Sequence, residues 1–395
     1  MELVLASNFD DRLVTATADL PVETYFGNFP VTFVGGGRPP SILPPVDPER
    51  FRTHLRAIHR SGRQFYATLN SIDLVLKEYD AGFEAKFLAE VARLLDLGVD
   101  GFVVALPLLV EILKREYPSV PVSVSTFARI RTVTQAEYFL DMGADTIVLE
   151  EANRDFALIR GIVRSGARVE VLVNQTCLQG CPYRSHHLNT SSASSQPGAP
   201  CPALEYPLLE CGLELVRDPA RLIASIFVRP EDLEVYEEVG VHRFKISGRN
   251  KPTDWLIRAA RAYAAREYSG NLLDILSYVQ VKAPRSFLHD SAVEPLDHIL
   301  QLVEAFDRLS DVTIDNRAFP KGFLRRISVT DCEHTSCRTC GWCASVAERV
   351  LRIGGRPPSE YVPPKDLPSS TWILPEIARA QSDRVSIPLV VGRRG

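Results

Sequence analysis

Between residues 48 and 253 the chain keeps returning to one order of elements: an amphipathic helix, a glycine, a short apolar strand, and a polar residue where the strand stops. The helix Pro48–Arg60 leads through Ser61 and Gly62 into a strand at Gln64–Leu69 that ends at Asn70. Phe83–Leu97 with Gly98 leads to Gly101–Ala105, and Leu108–Glu116 leads to Val122–Ser125 and Thr126. Val133–Met142 with Gly143 leads to Thr146–Leu149, which runs into Glu150 and Glu151. Phe156–Arg164 with Gly166 leads to Val169–Val173, and Pro230–Val239 with Gly240 leads to Arg243–Ile246. A repeat of about twenty-five residues is the βα unit of a parallel sheet. Strands at Glu2–Ala6 and Glu23–Gly27 and an apolar run at Leu222–Val228 add three candidates to these six before Thr253. That is close to the eight of a closed (β/α)8 barrel, which the count and the even spacing favour. An open doubly wound sheet would want a glycine-rich first turn, and none is present. The expected fold class is therefore α/β, with a TIM-barrel-like catalytic domain at residues 1–268 sealed by a helix at Thr253–Tyr268. Residues 269–395 lose the rhythm and read as a C-terminal extension, with one helix at Val293–Leu309.

The 395 residues suffice for one large domain and an appendage. A net charge of −4 gives no electrostatic footprint for nucleic acid. No apolar run approaches the ~20 residues that span a membrane, and MELVLAS lacks the basic region of a secretory signal. These features predict a cytoplasmic protein with a small-molecule substrate. The stretch GGGRPPSILPP at 35–45 could cradle an anion, but it carries no G-x-G-x-x-G or Walker pattern and reads as a rigid loop.

Cysteines supply the chemistry. Cys177 and Cys181 leave the strand Val169–Val173 directly, and Cys201 and Cys211 follow within the segment 174–211. A strand exit is where barrel enzymes keep their reactive groups. The Ser-rich tract Thr190–Gly198 reads as a loop that carries the later pair back over the first. Four such thiols can hold zinc, an iron–sulfur cluster or two disulfides. Disulfides fit least in a reducing compartment. The irregular spacing suits a cluster more than the paired Cys-x2-Cys knuckles of structural zinc. Arg184 stands where a radical-SAM pattern would need its third cysteine. A second group, Cys332, Cys337, Cys340 and Cys343 in CEHTSCRTCGWC, resembles a ferredoxin ligand run, with zinc as the rival.

The candidate catalytic residues are Lys245, Arg249, His187 and Glu150. Lys245 and Arg249 at the end of a strand could clamp a carboxylate, or could pair with Glu150 or Glu151. Arg229 has the same two readings. His186 and His187 follow the cysteines and offer an acid, a base or an outer partner of a metal. Asn70, Ser125, Thr126 and Asn174 sit at strand ends, where catalytic and turn residues both occur. No Ser/His/Asp or His-Glu-x-x-His pattern is visible, so a hydrolase would lack evident machinery.

Six segments, taken in order, resemble the collagenase-like peptidase family U32: FYATLN at 65–70, GVDGFVVALP at 98–107, PVSVSTFARIRT at 121–132, GADTIVLEE at 143–151, VEVLVNQTCLQGC at 169–181 and FKISGR at 244–249. The resemblance runs from about Gln64 to Tyr268. It implies a barrel-like fold and, despite the peptidase name, oxygen-independent hydroxylases with a 4Fe–4S cluster that act on ubiquinone precursors or RNA bases. Prephenate is implied as the oxygen source of the RNA-directed members. Position by position it makes Cys177, Cys181, Cys201 and Cys211 the cluster ligands. The function implied is an iron–sulfur hydroxylase or related redox enzyme acting on a small organic substrate. The alternatives are a peptidase and a non-catalytic iron–sulfur subunit with a protein partner or electron donor. Two departures bear on the substrate: the tight Cys-x3-Cys spacing, followed by Pro-Tyr-Arg-Ser-His-His, and the second cysteine group, which lies outside the family core.

Overall fold

The computed structural model describes residues 1–198, 205–278, 281–282, 297–365, 367 and 390–391. Cys201 and the first residues of the expected helix Val293–Leu309 therefore lie outside the described residues. Eight parallel strands close into a barrel in sequence order: β1 Glu2–Ala6, β2 Val22–Gly27, β3 Gln64–Leu69, β4 Gly101–Val104, β5 Val122–Val124, β6 Thr146–Leu149, β7 Arg168–Leu172 and β8 Arg243–Ile246. The last strand pairs with the first, Phe244 beside Leu3 and Ile246 beside Leu5, so no edge is left unpaired. The chain forms the TIM-barrel-like α/β fold expected of it.

The helices start where their caps dictate. Asp47, Thr132 and Asp155 each accept a hydrogen bond from a first-turn N–H of the helices Pro48–Arg60, Val133–Asp141 and Phe156–Arg164. Gly240 turns the chain into β8 at φ +92°, and a Cβ there would lie 2.8 Å from Val163 Cγ1. Only glycine meets both demands. The closing helix, Thr253–Ala265, buries Leu256, Ala259, Ala260 and Tyr263. Among the described residues no helix is long and apolar enough to cross a membrane.

Leu222–Val228 is not a strand. It is as buried as one, but it opens in a short helix, Arg221–Ala224, and continues irregularly. Direct pairing of β7 with β8 leaves no slot for it. Its backbone instead braces the chain beyond β7: Val228 N–H donates to Val173 O at 2.8 Å and Ile226 N–H to Cys177 O at 3.1 Å.

The extension is bound to the barrel through the cysteine segment. Its helix Asp297–Ser310 packs on the helix Tyr206–Arg217, and at the crossing a Cβ on Gly212 would lie 2.2 Å from Phe306 Cε1. An antiparallel pair, Val312–Ile314 with Leu351–Ile353, follows. The helix Trp342–Val350 packs on Arg221–Ala224.

The barrel interior is polar at its centre. Alternation along the strands turns Glu170, Arg243 and Lys245 inward. Glu170, only 1% exposed, accepts from Arg243 Nε at 2.7 Å and from Lys245 Nζ at 2.8 Å. Arg243 also reaches across to Thr24 Oγ1 at 2.8 Å and to Glu2 and Glu23 at 3.0 and 3.1 Å. Lys245 sits 4.1 Å from the centre of the Phe26 ring. Its carboxylate is thus Glu170, one strand back on the same inner face, and not Glu150 or Glu151. Burial alone would raise the Glu170 carboxyl, but Lys245 and Arg243 outweigh it and hold its pKa below the ordinary value. A carboxyl depressed in the folded state contributes stability that is present above its unfolded pKa and is lost as pH falls through the folded one. Glu170→Gln is expected to cost about 3–5 kcal/mol at neutral pH, because it strands buried Lys245 and takes the most buried of its carboxylate partners from Arg243. In urea unfolding followed below about pH 4, the gap between variant and wild type should narrow.

Candidate active site at the barrel mouth

Because all eight strands run parallel, the residues that follow them share one rim. Asn174 ties the exits of β7 and β8 together: its Oδ1 accepts from Ser247 N–H at 2.8 Å and its Nδ2 donates to Ser247 O at 2.9 Å. Asn70 Nδ2 donates to Ser125 Oγ at 3.3 Å, while its buried Oδ1 has no partner among the described residues. Ser125 caps the turn Thr126–Ala128 by accepting from Phe127 N–H.

Across this rim lies a helix, Arg184–Ala193, which takes in the start of the tract expected to be a loop. Serine has little intrinsic preference for helix, and tertiary bonds hold it in place. Ser192 Oγ accepts from Ile72 N–H at 3.0 Å, and Ser195 Oγ accepts from Gly37 N–H at 3.1 Å.

Cys177 and Cys181 precede that helix, and Cys211 lies on Tyr206–Arg217. All three are free and half-buried. Burial raises each thiol pKa, that of Cys211 to about 12. Cys211 acts electrostatically on Cys177, and Cys181 on Cys211. Among the described residues no three His, Cys, Asp or Glu side chains stand close enough to hold one metal ion. A cluster is a larger body that takes thiolates at its corners. Buried, unbridged thiols that sense one another fit it better than they fit a single ion.

Arg184 organises this corner. Its Nη1 lies 3.4 Å from Cys177 Sγ, its Nε donates to Glu151 Oε1 at 3.1 Å, and its Nη2 pairs with Glu150. Burial opposes the charge, but Cys177, Glu150 and Glu151 outweigh it and raise the Arg184 pKa. Glu150 also accepts from Cys177 Sγ at 3.5 Å.

Above the barrel stands Arg38, from the glycine-rich loop that the sequence left as a plain connection. Gly37, at φ +68°, brings it there, and a Cβ on Gly37 would lie 2.8 Å from Phe127. Burial depresses the Arg38 pKa against the pull of Glu150, Cys177 and Glu205. Arg249 is 9% exposed and donates to Thr68 Oγ1 at 2.8 Å and to Gly36 O at 2.7 Å. Burial, reinforced by Arg38, pushes its pKa down to about 9. Lys251 is lowered by the same two causes. Among the described residues neither Arg38 nor Arg249 has a carboxylate within ion-pair distance. Desolvated cations without a direct ion-pair partner make a site for an anion.

His187 and Glu205 face each other beside this pair, Nε2 to Oε2 at 3.4 Å. Burial, with Arg184 and Arg38 adding to it, takes the His187 pKa down to about 3. Burial takes Glu205 up to about 7 against Arg38. Glu205 can therefore hold or release a proton near neutrality.

The structure thus gathers Arg249, His187, Glu150, Cys177, Cys181 and Cys211 around the mouth. Lys245 lies deeper, satisfied by Glu170. Arg229 is held by Asp232 at 2.7 and 2.8 Å and covers the Phe319 ring. His186 lies exposed beside Tyr206. Cys332, Cys337, Cys340 and Cys343 line a cavity in the extension. Sequence reasoning missed Arg38, Lys251 and Glu205, and the triplet Gly35-Gly36-Gly37 was the signal for the first.

The structure also assembles a constellation the sequence concealed. Ser7 Oγ lies 2.8 Å from His54 Nε2, and His54 Nδ1 lies 2.6 Å from Asp11 Oδ1. These are the distances of a nucleophile triad. Ser7 and His54 are at most 1% exposed, however, and Phe9, Phe51 and Phe65 stack around them. The hydroxyl is not presented to a substrate.

The family model for peptidase family U32 matches residues 45–268, more than half of the chain. The chain belongs to peptidase family U32. It is similar to a protein of Methanocaldococcus jannaschii named an uncharacterized protease, at 29% identity over 265 residues, covering 66% of this chain and 69% of that one. It is also similar to the solved structure of the U32 peptidase Mk0906, at 20% identity and a TM-score of 0.48, covering 63% of this chain and 93% of that one.

A fluorophosphonate probe is expected to leave Ser7 unlabelled, and a Ser7 adduct found by mass spectrometry would reverse that reading. Ser7→Ala should cost about 1 kcal/mol in urea unfolding, and His54→Ala about 2–4 kcal/mol, because it opens the core and unpairs two groups.

Proposed function

We propose that this U32 protein is an iron–sulfur enzyme, an oxygen-independent hydroxylase or related redox enzyme, that acts on a small organic anion bound at the barrel mouth. The observation that carries the reading is a pair of desolvated guanidiniums, buried Arg249 and half-buried Arg38, which among the described residues have no carboxylate at ion-pair distance and stand beside three free thiols. Cys177, Cys181 and Cys211, with Cys201, would hold the cluster, which when bound supplies redox and Lewis-acid chemistry. Arg249, fixed by Thr68 and Gly36, and Arg38 would orient an acidic group of the substrate. Glu205 would hold or accept a proton beside it. Arg184 would keep Glu150 and the Cys177 sulfur in register.

The family name favours a peptidase, and the Ser7, His54 and Asp11 distances are a geometric feature on its side. Burial of that serine speaks against it. A non-catalytic iron–sulfur subunit would keep the thiols but would have no use for two stranded cations.

Anaerobic purification should give protein containing iron and acid-labile sulfide, and Cys181→Ala should lose the share held at the barrel mouth. Arg249→Gln should keep iron and fold yet bind simple organic carboxylates about 10- to 100-fold more weakly, the worth of a charge-assisted hydrogen bond. Arg38→Gln removes a charge that the free protein pays to bury, so its Tm without ligand should rise while stabilisation by carboxylates disappears. Protein that holds no iron after anaerobic purification, or unchanged carboxylate binding in both variants, would remove the proposal.

A further inference from the structure

The second cysteine group shares a wall with the first. Cys332, Cys337, Cys340 and Cys343 line one cavity of about 460 Å³, and so do Leu178 and Gln179, the two residues after Cys177. Gln179 Nε2 donates to Glu333 Oε1 at 3.3 Å, immediately after Cys332, and Arg131 of the rim pairs with the same Glu333. All four thiols are free. Cys343 acts electrostatically on Cys332, and Cys337 and Cys340 act on both. Their order is C-x4-C-x2-C-x2-C, the tight spacing of ferredoxin ligand runs.

Donors without an acceptor stand at and behind this wall. Among the described residues, Trp342 Nε1 in the wall and Arg154 Nε behind Cys343 are buried and unpartnered. A buried N–H left unpaired costs about 1–3 kcal/mol. Arg154 Nη1 already lies 3.7 Å from Cys343 Sγ, and Trp342 lines the cavity. Hydrogen bonds to sulfur are among the means by which a protein tunes a cluster. One zinc ion would need thiols gathered at a point, and among the described residues no three metal-binding side chains are so gathered.

We infer that this cavity binds a second iron–sulfur cluster, held by Cys332, Cys337, Cys340 and Cys343 against the loop that carries Cys177 and Cys181. The inference stands apart from the reading of the barrel mouth, since all four of its ligands belong to the extension. The test is iron and acid-labile sulfide in anaerobically purified full-length protein: wild type, Cys181→Ala, and a double variant with Cys337→Ser and Cys340→Ser. The double variant is expected to lose a share of iron and sulfide that Cys181→Ala retains. Trp342→Phe should keep that share and shift its midpoint potential downward, because a donor to the cluster is gone. Iron and sulfide unchanged in the double variant would overturn the inference, as would zinc without sulfide at this site. If the double variant does not fold, Cys181→Ala decides alone: iron with sulfide retained supports the second cluster, and none retained overturns it. A failure at the barrel mouth shows differently, as iron that Cys181→Ala does not change.

Discussion

Glu170 is the hinge on which the barrel's interior turns. A closed parallel barrel must fill its own axis, and most do so with branched apolar side chains. Here β8 sends two cations inward, Arg243 and Lys245, and a lone carboxylate on β7 answers both. Arg243 passes the contact on to Thr24, Glu2 and Glu23, so β1, β2, β7 and β8 are joined across the seam where the first and last strands meet. Buried ion pairs contribute little net stability, yet they penalise any packing that separates the partners. The network therefore acts as a constraint on register at the closure.

With Lys245 spent inside, the rim is left with cations of a different kind. Arg184 is saturated by Glu150, Glu151 and Cys177, and Arg229 by Asp232. Arg249 is buried to a similar degree and Arg38 is half-buried, and among the described residues neither has a carboxylate at ion-pair distance. Folded proteins place such groups where a ligand completes them, and the free state bears the cost. The glycine loop holds the arrangement from above through its backbone, Gly37 N–H donating to Ser195 Oγ just past the serine helix and Gly36 O accepting from Arg249.

Much of the fold was legible in the sequence, since a strand that must feed a helix back onto its own sheet repeats the same pattern each time. Asn70, Ser125, Glu150 and Asn174 were expected on one rim and lie on one, because parallel strands finish on one side. Leu222–Val228 misled because apolar content reports burial and not pairing. The Ser-rich tract misled in the opposite direction, its helix being held by Ile72 and Gly37 and not by its own preference.

By itself the sequence determined the barrel, the rim and the two groups of thiols, all of which follow from local periodicity and residue chemistry. Tertiary structure decided which charges are answered. Lys245 and Arg249 stand four residues apart in one motif, yet one meets Glu170 and the other meets only neutral oxygens. Arg38 and Glu205 reach the mouth from loops far apart in the chain, and Ser7, His54 and Asp11 come together only to be sealed from solvent. Partnership and access depend on what the folded chain places within a few ångström of a side chain, and spacing along the sequence does not encode that.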